Sequence, residues 1–207
     1  MRSQRLPMTW WNRTLKRSID LAGASILLAL FWPLVLILAL RIKLHDGGPA
    51  FFRRRVIGPN GEFDAFKLRT MRADADEVLR RDPVLRRRFE MNFKLKDDPR
   101  VTAIGTMLRR SGLDELPQLW NVLKGEMSLV GPRMITPMEL EKYGDASWIF
   151  SEMKPGLTGY WQTSGAQQAG YHRRIEMDLF YVENWSLWFD LKILIKTPAR
   201  VWRGSGA

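Results

Sequence analysis

The feature that most constrains this chain is a long apolar run near its amino terminus. Residues 21–40 read LAGASILLALFWPLVLILAL and carry no charge. Twenty helical residues reach roughly 30 Å, which is enough to cross the hydrocarbon core of a bilayer. A signal peptide fits poorly, because the run is long and Arg41-Ile42-Lys43 follows it instead of a small-residue cleavage site. The sequence therefore predicts a helix that associates with a membrane.

Two features of this run argue against a simple crossing. Pro33 lacks a backbone N–H and clashes with the preceding turn, so the helix is expected to break at Trp32–Pro33. Positive charge marks the cytoplasmic side of a membrane segment. Here basic residues flank both ends of the run: Arg13, Lys16 and Arg17 before it, and Arg41, Lys43 and Arg53 to Arg55 after it. The simplest topology is a re-entrant hairpin, helix–break–helix, with both ends on one face. A kinked spanning helix and a buried core helix remain alternatives.

The overall composition restricts the kinds of partner. A formal net charge of +11 over 207 residues favours anionic partners, namely acidic lipids, phosphorylated substrates or nucleic acid. Cysteine is absent, which excludes a disulfide framework, a thiolate metal site and a thiol nucleophile. Tryptophan favours boundaries that are apolar on one side and wet on the other, and the nine tryptophans therefore agree with a membrane surface.

The chain is predicted to form a single, mostly helical α+β domain with three parts. Residues 1–17 are a basic interfacial segment, residues 18–43 are the re-entrant helix–break–helix, and residues 44–207 form the remaining domain. Two β-prone runs, 51–57 and 62–68, flank Gly58-Pro59-Asn60-Gly61, and this pattern is typical of a short β-hairpin.

Helices are predicted along the rest of the chain. They cover residues 72–89 with a break at Pro83, residues 105–110, residues 173–181 and a last helix at 186–197 that ends before Pro198. The last helix carries an apolar stripe, which favours packing on a core over packing on lipid: Trp188, Leu191, Leu194 and Ile195. The basic opposite face keeps open the alternative of an interfacial amphipathic helix.

The adjacent carboxylates Asp114 and Glu115 are the strongest candidates for chemistry. If a helix begins at Leu113 or Asp114, Pro117 falls in its first turn, where no intrahelical N–H is missed. The positive end of the helix dipole then favours ionised carboxylates. An ionised aspartate can attack phosphorus, and a carboxylate pair suits Mg²⁺, which also takes phosphate oxygens. By spacing alone, however, such a pair is more commonly a helix cap.

Five cations are candidates for binding phosphate. Arg133 follows the stiff Gly131-Pro132 turn and can present a bidentate fork. Lys67 and Arg69 lie at and just beyond the end of the second predicted strand, and Arg109 and Arg110 precede the carboxylates by about one turn. For each of them the alternative is an ordinary solvated surface residue.

Other common site motifs are missing from the sequence. His45 and His172 are isolated, with no partner spacing that suggests a metal or a triad. There is no Walker loop, no glycine-rich dinucleotide fingerprint and no zinc pattern.

With these residues in view, the chain resembles the bacterial sugar transferases of the monotopic polyprenyl-phosphate phosphoglycosyl transferase type. The similarity runs from the KRSID segment at 16–20 to Lys196-Thr197, through several blocks in the family's order. These blocks are FR at 52–53, KLRTM at 67–71, DPRVT at 98–102, LDELPQL at 113–119, MSLVGPR at 127–133, KPGLTG at 154–159 and NWSLW at 184–188.

The resemblance implies a re-entrant membrane helix broken before a proline, and it makes residues 44–207 a catalytic domain on the cytoplasmic face of the bacterial inner membrane. It implies that Asp114 attacks the β-phosphorus of a UDP-sugar, releasing UMP, and that polyprenyl phosphate then takes the phosphosugar. This would be the first membrane step in the synthesis of exopolysaccharide, O-antigen, capsule or a glycoconjugate. Mg²⁺ is the implied cofactor.

The resemblance also implies roles for the other candidates. Glu115 would lie beside the metal ion or help in the second step, and the cations would bind phosphate oxygens or the nucleotide: Lys67, Arg69, Arg109 and Arg133. Asp178 matches an acidic position with a less defined role in the substrate site. Many relatives carry a further amino-terminal membrane portion, and the chain is expected to be the minimal catalytic unit.

The sequence departs from the family pattern at two positions. Met134 replaces the second proline of Pro-Arg-Pro, and Ala166 replaces the arginine of Ser-Gly-Arg, a loss for which Arg173 or Arg174 could compensate. These departures motivate an alternative, a catalytically silent membrane scaffold of the same fold. A nucleic-acid binder is disfavoured, because no binding module is recognisable and anionic lipids account for the basic flanks. A homo-oligomer is compatible with the sequence.

Overall fold

The computed structural model describes residues 8–92, 95, 97–166 and 169–202. In chain order the α-helices are α1 Trp10–Asp46, α2 Ala75–Arg81, α3 Pro83–Asn92, α4 Ala103–Ser111, α5 Gln118–Lys124, α6 Pro137–Tyr143, α7 Ile149–Glu152, α8 Tyr160–Ser164, α9 Gly170–Glu183 and α10 Leu187–Trp202. The strands are β1 Phe51–Gly58, β2 Gly61–Leu68, β3 Ser128–Val130 and β4 Gly156–Thr158. Single 3₁₀ segments lie at Leu113–Glu115 and Gly144–Trp148.

The apolar run lies in one 37-residue helix, α1. The Thr9 hydroxyl caps its amino end, and Gly47 ends it in the left-handed conformation that favours glycine. Pro33 lies inside the helix, so the non-helical break predicted at Trp32–Pro33 is wrong. A proline removes one hydrogen bond, and the flanking turns remain helical around it. Residues 10–17 form the start of this helix, whereas residues 1–7 of the predicted basic segment lie outside the described residues.

Both halves of α1 pack on the same globular domain. Lys16, Asp20 and Ala24 are buried in the first half, where Lys16 Nζ lies 2.6 Å from the carboxylate of Asp190 in α10 and donates to the Val130 carbonyl at 2.9 Å. In the second half, buried apolar residues join a cluster with Leu68 of β2 and Leu108 of α4: Val35, Leu38, Ala39 and Ile42. The domain therefore contacts α1 on both sides of Pro33.

The rest of the α1 surface is apolar and exposed. Within the described residues, α1 is the one helix long and apolar enough to cross a membrane, and only 17% of its most apolar stretch is buried. A helix in the core of a soluble protein would be mostly buried, so this finding argues against that alternative. The exposed side chains include Ile26, Leu30, Ile37 and Leu40.

Two small sheets complete the α+β arrangement. The antiparallel β1–β2 hairpin, which closes with Gly58 opposite Gly61, confirms the prediction from the Asn-Gly turn. The parallel pair of β3 and β4 lies in the main core, with Ser128 opposite Gly156 and Val130 opposite Thr158. The predicted break at Pro83 is also confirmed, because this residue begins α3.

The last helix departs from its predictions in two ways. Pro198 lies inside α10 and does not end it. The face that packs on the core carries Asp190 and Ile193, and of the predicted core stripe Leu194 packs against the core, whereas Trp188, Leu191 and Ile195 are exposed. Asp190 is buried because Lys16, Tyr181 and Trp185 satisfy its carboxylate, and this polar cluster selects the packing face against simple apolar periodicity.

Candidate active site

The two carboxylates lie in a tight turn that links α4 to α5. Gly112 ends α4 in the left-handed conformation, with a φ of 66°, and the 3₁₀ turn Leu113–Glu115 follows directly. Pro117 caps α5, which begins only at Gln118. The expected helix start at Leu113 or Asp114 is therefore wrong for an α-helix, because a 3₁₀ turn and the proline separate the carboxylates from α5.

Glu115 is held by two cations from separate parts of the chain. Lys67 Nζ, at the end of β2, donates to Glu115 Oε1 at 2.6 Å, and the Arg133 guanidinium donates to the same oxygen at 3.0 Å. Burial by itself would raise the pKa of Glu115, but the charges of Arg133 and Lys67 outweigh it and lower this pKa. Glu115 is thus ionised at neutral pH and anchors both cations beside Asp114.

Asp114 is buried but weakly paired. Its nearest cation is Lys67, with Nζ 4.0 Å from Oδ2. Burial raises the pKa of Asp114 to about 6, although Lys67 opposes this shift. The expectation that a helix dipole favours its ionised form is therefore wrong, because burial and the neighbouring Glu115 disfavour the charge. At pH 7 the carboxylate is still mostly ionised, with little solvation to stabilise it.

The position of Arg133 depends on a close approach between the backbone after β3 and the backbone at the start of β4. Arg133 continues from β3 and forms a parallel bridge with Gly156 at the start of β4. A side chain at Gly131 would collide with the backbone of Lys154 and Gly156, so glycine is required for this approach. Residues 131–136, which connect β3 to α6, form the Arg133 loop. This loop places the Arg133 guanidinium on Glu115.

Among the remaining predicted cations, Arg109 lies beside this cluster and Arg69 does not. Arg109 Nε donates to the Thr70 hydroxyl at 2.9 Å, and burial lowers the pKa of Arg109 while the nearby Asp114 carboxylate opposes the shift. Arg69 instead forms an ion pair with Asp46 at the end of α1, through NH1 to Oδ2 at 2.9 Å and a second contact. The structure therefore does not bring Arg69 to the carboxylates.

Asp178 lies behind Arg133, away from solvent. Its Oδ1 accepts a hydrogen bond from the Arg133 backbone N–H at 3.3 Å, and its Oδ2 accepts one from the Tyr143 hydroxyl at 2.8 Å. Burial raises its pKa to about 6, although Arg174 and Tyr143 oppose the shift. With a side chain 1% exposed, Asp178 supports the loop, and the predicted direct contact with substrate does not fit this geometry.

Sequence reasoning missed the cluster that holds the Arg133 loop. The Arg174 guanidinium donates to the backbone carbonyls of Arg133 and Met134 at 3.3 and 3.1 Å, and its charge is balanced by Glu139 at 3.4 Å and Asp178 at 3.8 Å. The spacing of Thr136 and Glu139 is that of a capping box, so the sequence alone could have identified Glu139 as a residue that stabilises the start of α6. Of the two arginines expected to compensate for Ala166, Arg174 is engaged with the Arg133 and Met134 carbonyls, and Arg173 pairs with Glu176 on the surface. The compensation itself stays a prediction.

Asp114 and Glu115 are suited to a hard cation. No third histidine, cysteine, aspartate or glutamate joins them within the described parts of the chain. Mg²⁺ is commonly held by one or two carboxylates, with substrate phosphates and water completing its coordination. The pair therefore fits Mg²⁺ in the presence of a phosphorylated substrate, although Glu115 Oε1 already accepts from Lys67 and Arg133.

Similarity to known proteins extends over nearly the whole chain. The sequence is 46% identical to the UDP-galactose-lipid carrier transferase of Erwinia amylovora over 95% of this chain and 42% of that protein. It is 45% identical to the exopolysaccharide production protein ExoY of Rhizobium meliloti, over 93% of this chain and 87% of that protein. It is 37% identical to the UDP-glucose:undecaprenyl-phosphate glucose-1-phosphate transferase of Escherichia coli, over 92% of this chain and 41% of that protein. The chain thus spans less than half the length of several curated relatives.

The match to a family covers the same region. The sequence model described as "Bacterial sugar transferase" matches residues 11–204, which include nearly all of α1, the carboxylate turn and the Arg133 loop. Because this match covers most of the chain and relatives are 45% and 46% identical to it, the chain belongs to the bacterial sugar transferase family.

Proposed function

We propose that the protein is a phosphoglycosyl transferase that moves a phosphosugar from a UDP-sugar to polyprenyl phosphate. The observation that carries this proposal is Asp114, a buried and weakly paired carboxylate beside a cluster of cations. The names of relatives support the substrate classes, since two of them are called an undecaprenyl-phosphate galactose phosphotransferase and a UDP-glucose:undecaprenyl-phosphate glucose-1-phosphate transferase. ExoY relatives support a place in exopolysaccharide synthesis.

In the first step, a carboxylate oxygen of Asp114 attacks the β-phosphorus of the UDP-sugar. The bond between this phosphorus and the bridging oxygen breaks, and UMP leaves with the electron pair. The product is an aspartyl-phosphosugar. A carboxylate is a competent nucleophile for such a step when it is ionised and poorly solvated.

In the second step, a phosphate oxygen of polyprenyl phosphate attacks the same phosphorus. The acyl-phosphate bond to Asp114 breaks, which regenerates the carboxylate and yields a polyprenyl diphosphosugar. The membrane acceptor and the soluble donor thus react one after the other at one residue.

The neighbouring cations would bind phosphate oxygens. Lys67 and Arg133, fixed on Glu115, would stabilise negative charge that gathers on the diphosphate, and Arg109 would contribute from the Asp114 side. Asp114 and Glu115 would hold Mg²⁺, which when bound would supply further positive charge beside the phosphates. Arg69 and Asp178 would act indirectly, through Asp46 and through the Arg133 loop respectively.

The same proposal assigns a location. The helix α1 would bend at Pro33 and so enter and leave the membrane from the cytoplasmic face of the bacterial inner membrane, in a re-entrant topology. Its support is that the domain packs on both halves of α1 while the remaining surface of that helix is apolar and exposed. The exposed apolar face of α10, with Trp188 and Ile195, would lie at the same interface, and anionic lipids would attract the basic flanks.

A nucleotide-product assay tests the proposal. Purified protein in nanodiscs is given a panel of UDP-sugars, polyprenyl phosphate and Mg²⁺, and UMP and UDP are separated and quantified. The proposal expects UMP, and it expects Asp114 to gain the mass of a phosphosugar when the acceptor is omitted. UDP as the product, or normal turnover by Asp114→Asn, would contradict it.

The alternative is a catalytically silent scaffold, favoured only by Met134 and Ala166 at the two departures from the family pattern. A scaffold releases no UMP with any UDP-sugar in the panel, while the relative named undecaprenyl-phosphate galactose phosphotransferase, assayed in parallel, is the positive control. The contacts of Arg174 to the Met134 carbonyl argue against it, because they restrain the loop that the missing proline would have stiffened.

A further inference from the structure

An apolar groove of about 410 Å³ lies between the second half of α1 and α4. Ile37, Leu38 and Arg41 form one side, and Ala103, Ile104 and Met107 form the other. Leu38 is buried at its floor, whereas Ile37 and Met107 are more than half exposed. Apart from Arg41, every lining residue is apolar.

The floor of the groove is continuous with the carboxylate turn. Leu38 and Ile104 belong to one hydrophobic cluster, and Leu113 and Leu116 pack against the same cluster. Leu113 immediately precedes Asp114, and Leu116 follows Glu115. An apolar molecule in the groove is therefore joined by a packed surface to the turn that carries the nucleophile.

A cation lies between the groove and the turn. The spacing of α4 places Arg110 on the face of Ala103, one turn beyond Met107. Arg110 is exposed, and no ion pair holds it among the residues that the structure describes. Along α4 the apolar groove comes first, then Arg110, and then the turn that carries Asp114. This order suits a molecule whose apolar tail lies in the groove and whose anionic head lies beside Arg110.

We propose that this groove binds the isoprenoid chain of the acceptor, with its phosphate beside Arg110 and Asp114. The inference rests on the proposed function, and it adds the place where the lipid substrate is recognised. Since α4 is only about 13 Å long, a phosphate at Asp114 leaves most of a long polyprenyl chain free to follow α4 into the groove. The membrane helix then forms one wall of the acceptor site as well as an anchor.

Groove-filling variants test the inference. Ala103→Trp and Met107→Trp place a large ring in the groove at exposed positions, and Met138→Trp is a matched control on the exposed surface of α6. Two reactions are measured in nanodiscs. One is the exchange of labelled UMP into UDP-sugar without acceptor, which reports the first step, and the other is the complete transfer to long-chain and to short, water-soluble polyprenyl phosphates.

We expect the KM for the long-chain acceptor to rise about tenfold or more in both groove variants, because an apolar contact of ordinary size is lost. UMP exchange and the reaction with the short acceptor should stay within about twofold of wild type, as should every reaction of Met138→Trp. An unchanged KM for the long chain with normal exchange would overturn the groove assignment alone. If the groove variants bind vesicles more weakly while their KM for the long-chain acceptor is unchanged, the groove contacts bilayer lipid and the assignment to the acceptor is also overturned. Absence of exchange in the wild type would instead refute the proposed function and this inference with it.

Discussion

Lys67 donates to Glu115 over 2.6 Å but remains 4.0 Å from the carboxylate of Asp114. One lysine thus neutralises the second carboxylate of the pair and leaves the first only partly compensated. The consequence is opposite behaviour in adjacent residues, since the pKa of Glu115 is lowered and that of Asp114 is raised to about 6. The arrangement keeps one fixed anion and one reactive anion in the same turn.

Asp114 is therefore expected to cost stability when it is ionised. A pKa of about 6 in the folded protein, against 3.8 as the ordinary value, means that the folded state binds the proton more tightly. The penalty is absent below pH 4, grows between pH 4 and 6, and reaches roughly 3 kcal/mol above this range, at about 1.4 kcal/mol per pKa unit. Asp114→Asn should raise the Tm at pH 8 and not at pH 4, while abolishing turnover. An equal Tm for both proteins at pH 8 would contradict the buried, weakly paired state.

The rate of UMP exchange should fall in acid. Because the attacking carboxylate must be ionised, the rate should decrease about tenfold per pH unit below an apparent pKa near 6 and be flat above it. Lys67→Met removes the cation that stabilises ionised Asp114, so the acidic limb should move to higher pH.

This shift distinguishes Asp114 from Asp178, whose pKa is also raised to about 6. Asp178 is held by Tyr143 and Arg174 and makes no contact with Lys67. If the acidic limb of the pH–rate profile does not move in Lys67→Met, the group whose ionisation controls the rate is not Asp114.

Arg174 should act on catalysis through the position of Arg133. Arg174→Gln removes the donors to the carbonyls of Arg133 and Met134, and a displaced loop should lower kcat by about 10- to 100-fold. Arg173→Gln is the matched control, because that neighbouring side chain pairs with exposed Glu176 on the surface. If both variants keep wild-type kcat while only Arg174→Gln lowers the Tm, the cluster has a structural role alone.

The contact between Lys16 and Asp190 should hold α1 on the domain. Lys16→Met leaves the Asp190 carboxylate buried without its cation, which typically costs about 3–5 kcal/mol. The double variant Lys16→Met/Asp190→Asn removes the uncompensated charge and should recover much of this loss. Arg13→Met, which breaks an exposed 3.9 Å pair with Glu152, should cost less than about 1 kcal/mol. Chemical unfolding in detergent measures all three, and equal losses in the two single variants would refute a special role for the buried pair.

The re-entrant topology is testable because the chain contains no cysteine. Single cysteines at exposed Thr14 and Leu44, beside the two basic flanks, should both react with an impermeant maleimide only from the cytoplasmic side. A cysteine at Trp32 should be protected from both sides. Labelling of either flank from the periplasm would establish a spanning helix.

Some local features follow from neighbouring residues in the chain. The Asn-Gly turn specifies the β1–β2 hairpin, and Pro83 begins a helix, since both effects depend on backbone dihedral preferences. The end of α10 could not be predicted in this way. Pro198 stops a helix in isolation, whereas here the helical hydrogen bonds on either side of it are kept.

By itself, the sequence determined which residue types are available for chemistry: the Asp114–Glu115 pair, the arginine after Gly131-Pro132, and an apolar run long enough for a membrane. Only the tertiary structure decided how they are used. It brought Lys67 and Arg133 to Glu115 but took Arg69 to Asp46, buried Asp178 behind the loop, and added Arg174 from α9. The physical reason is that burial and distant charges set the state of each ionisable group, and both depend on contacts between residues far apart in the chain.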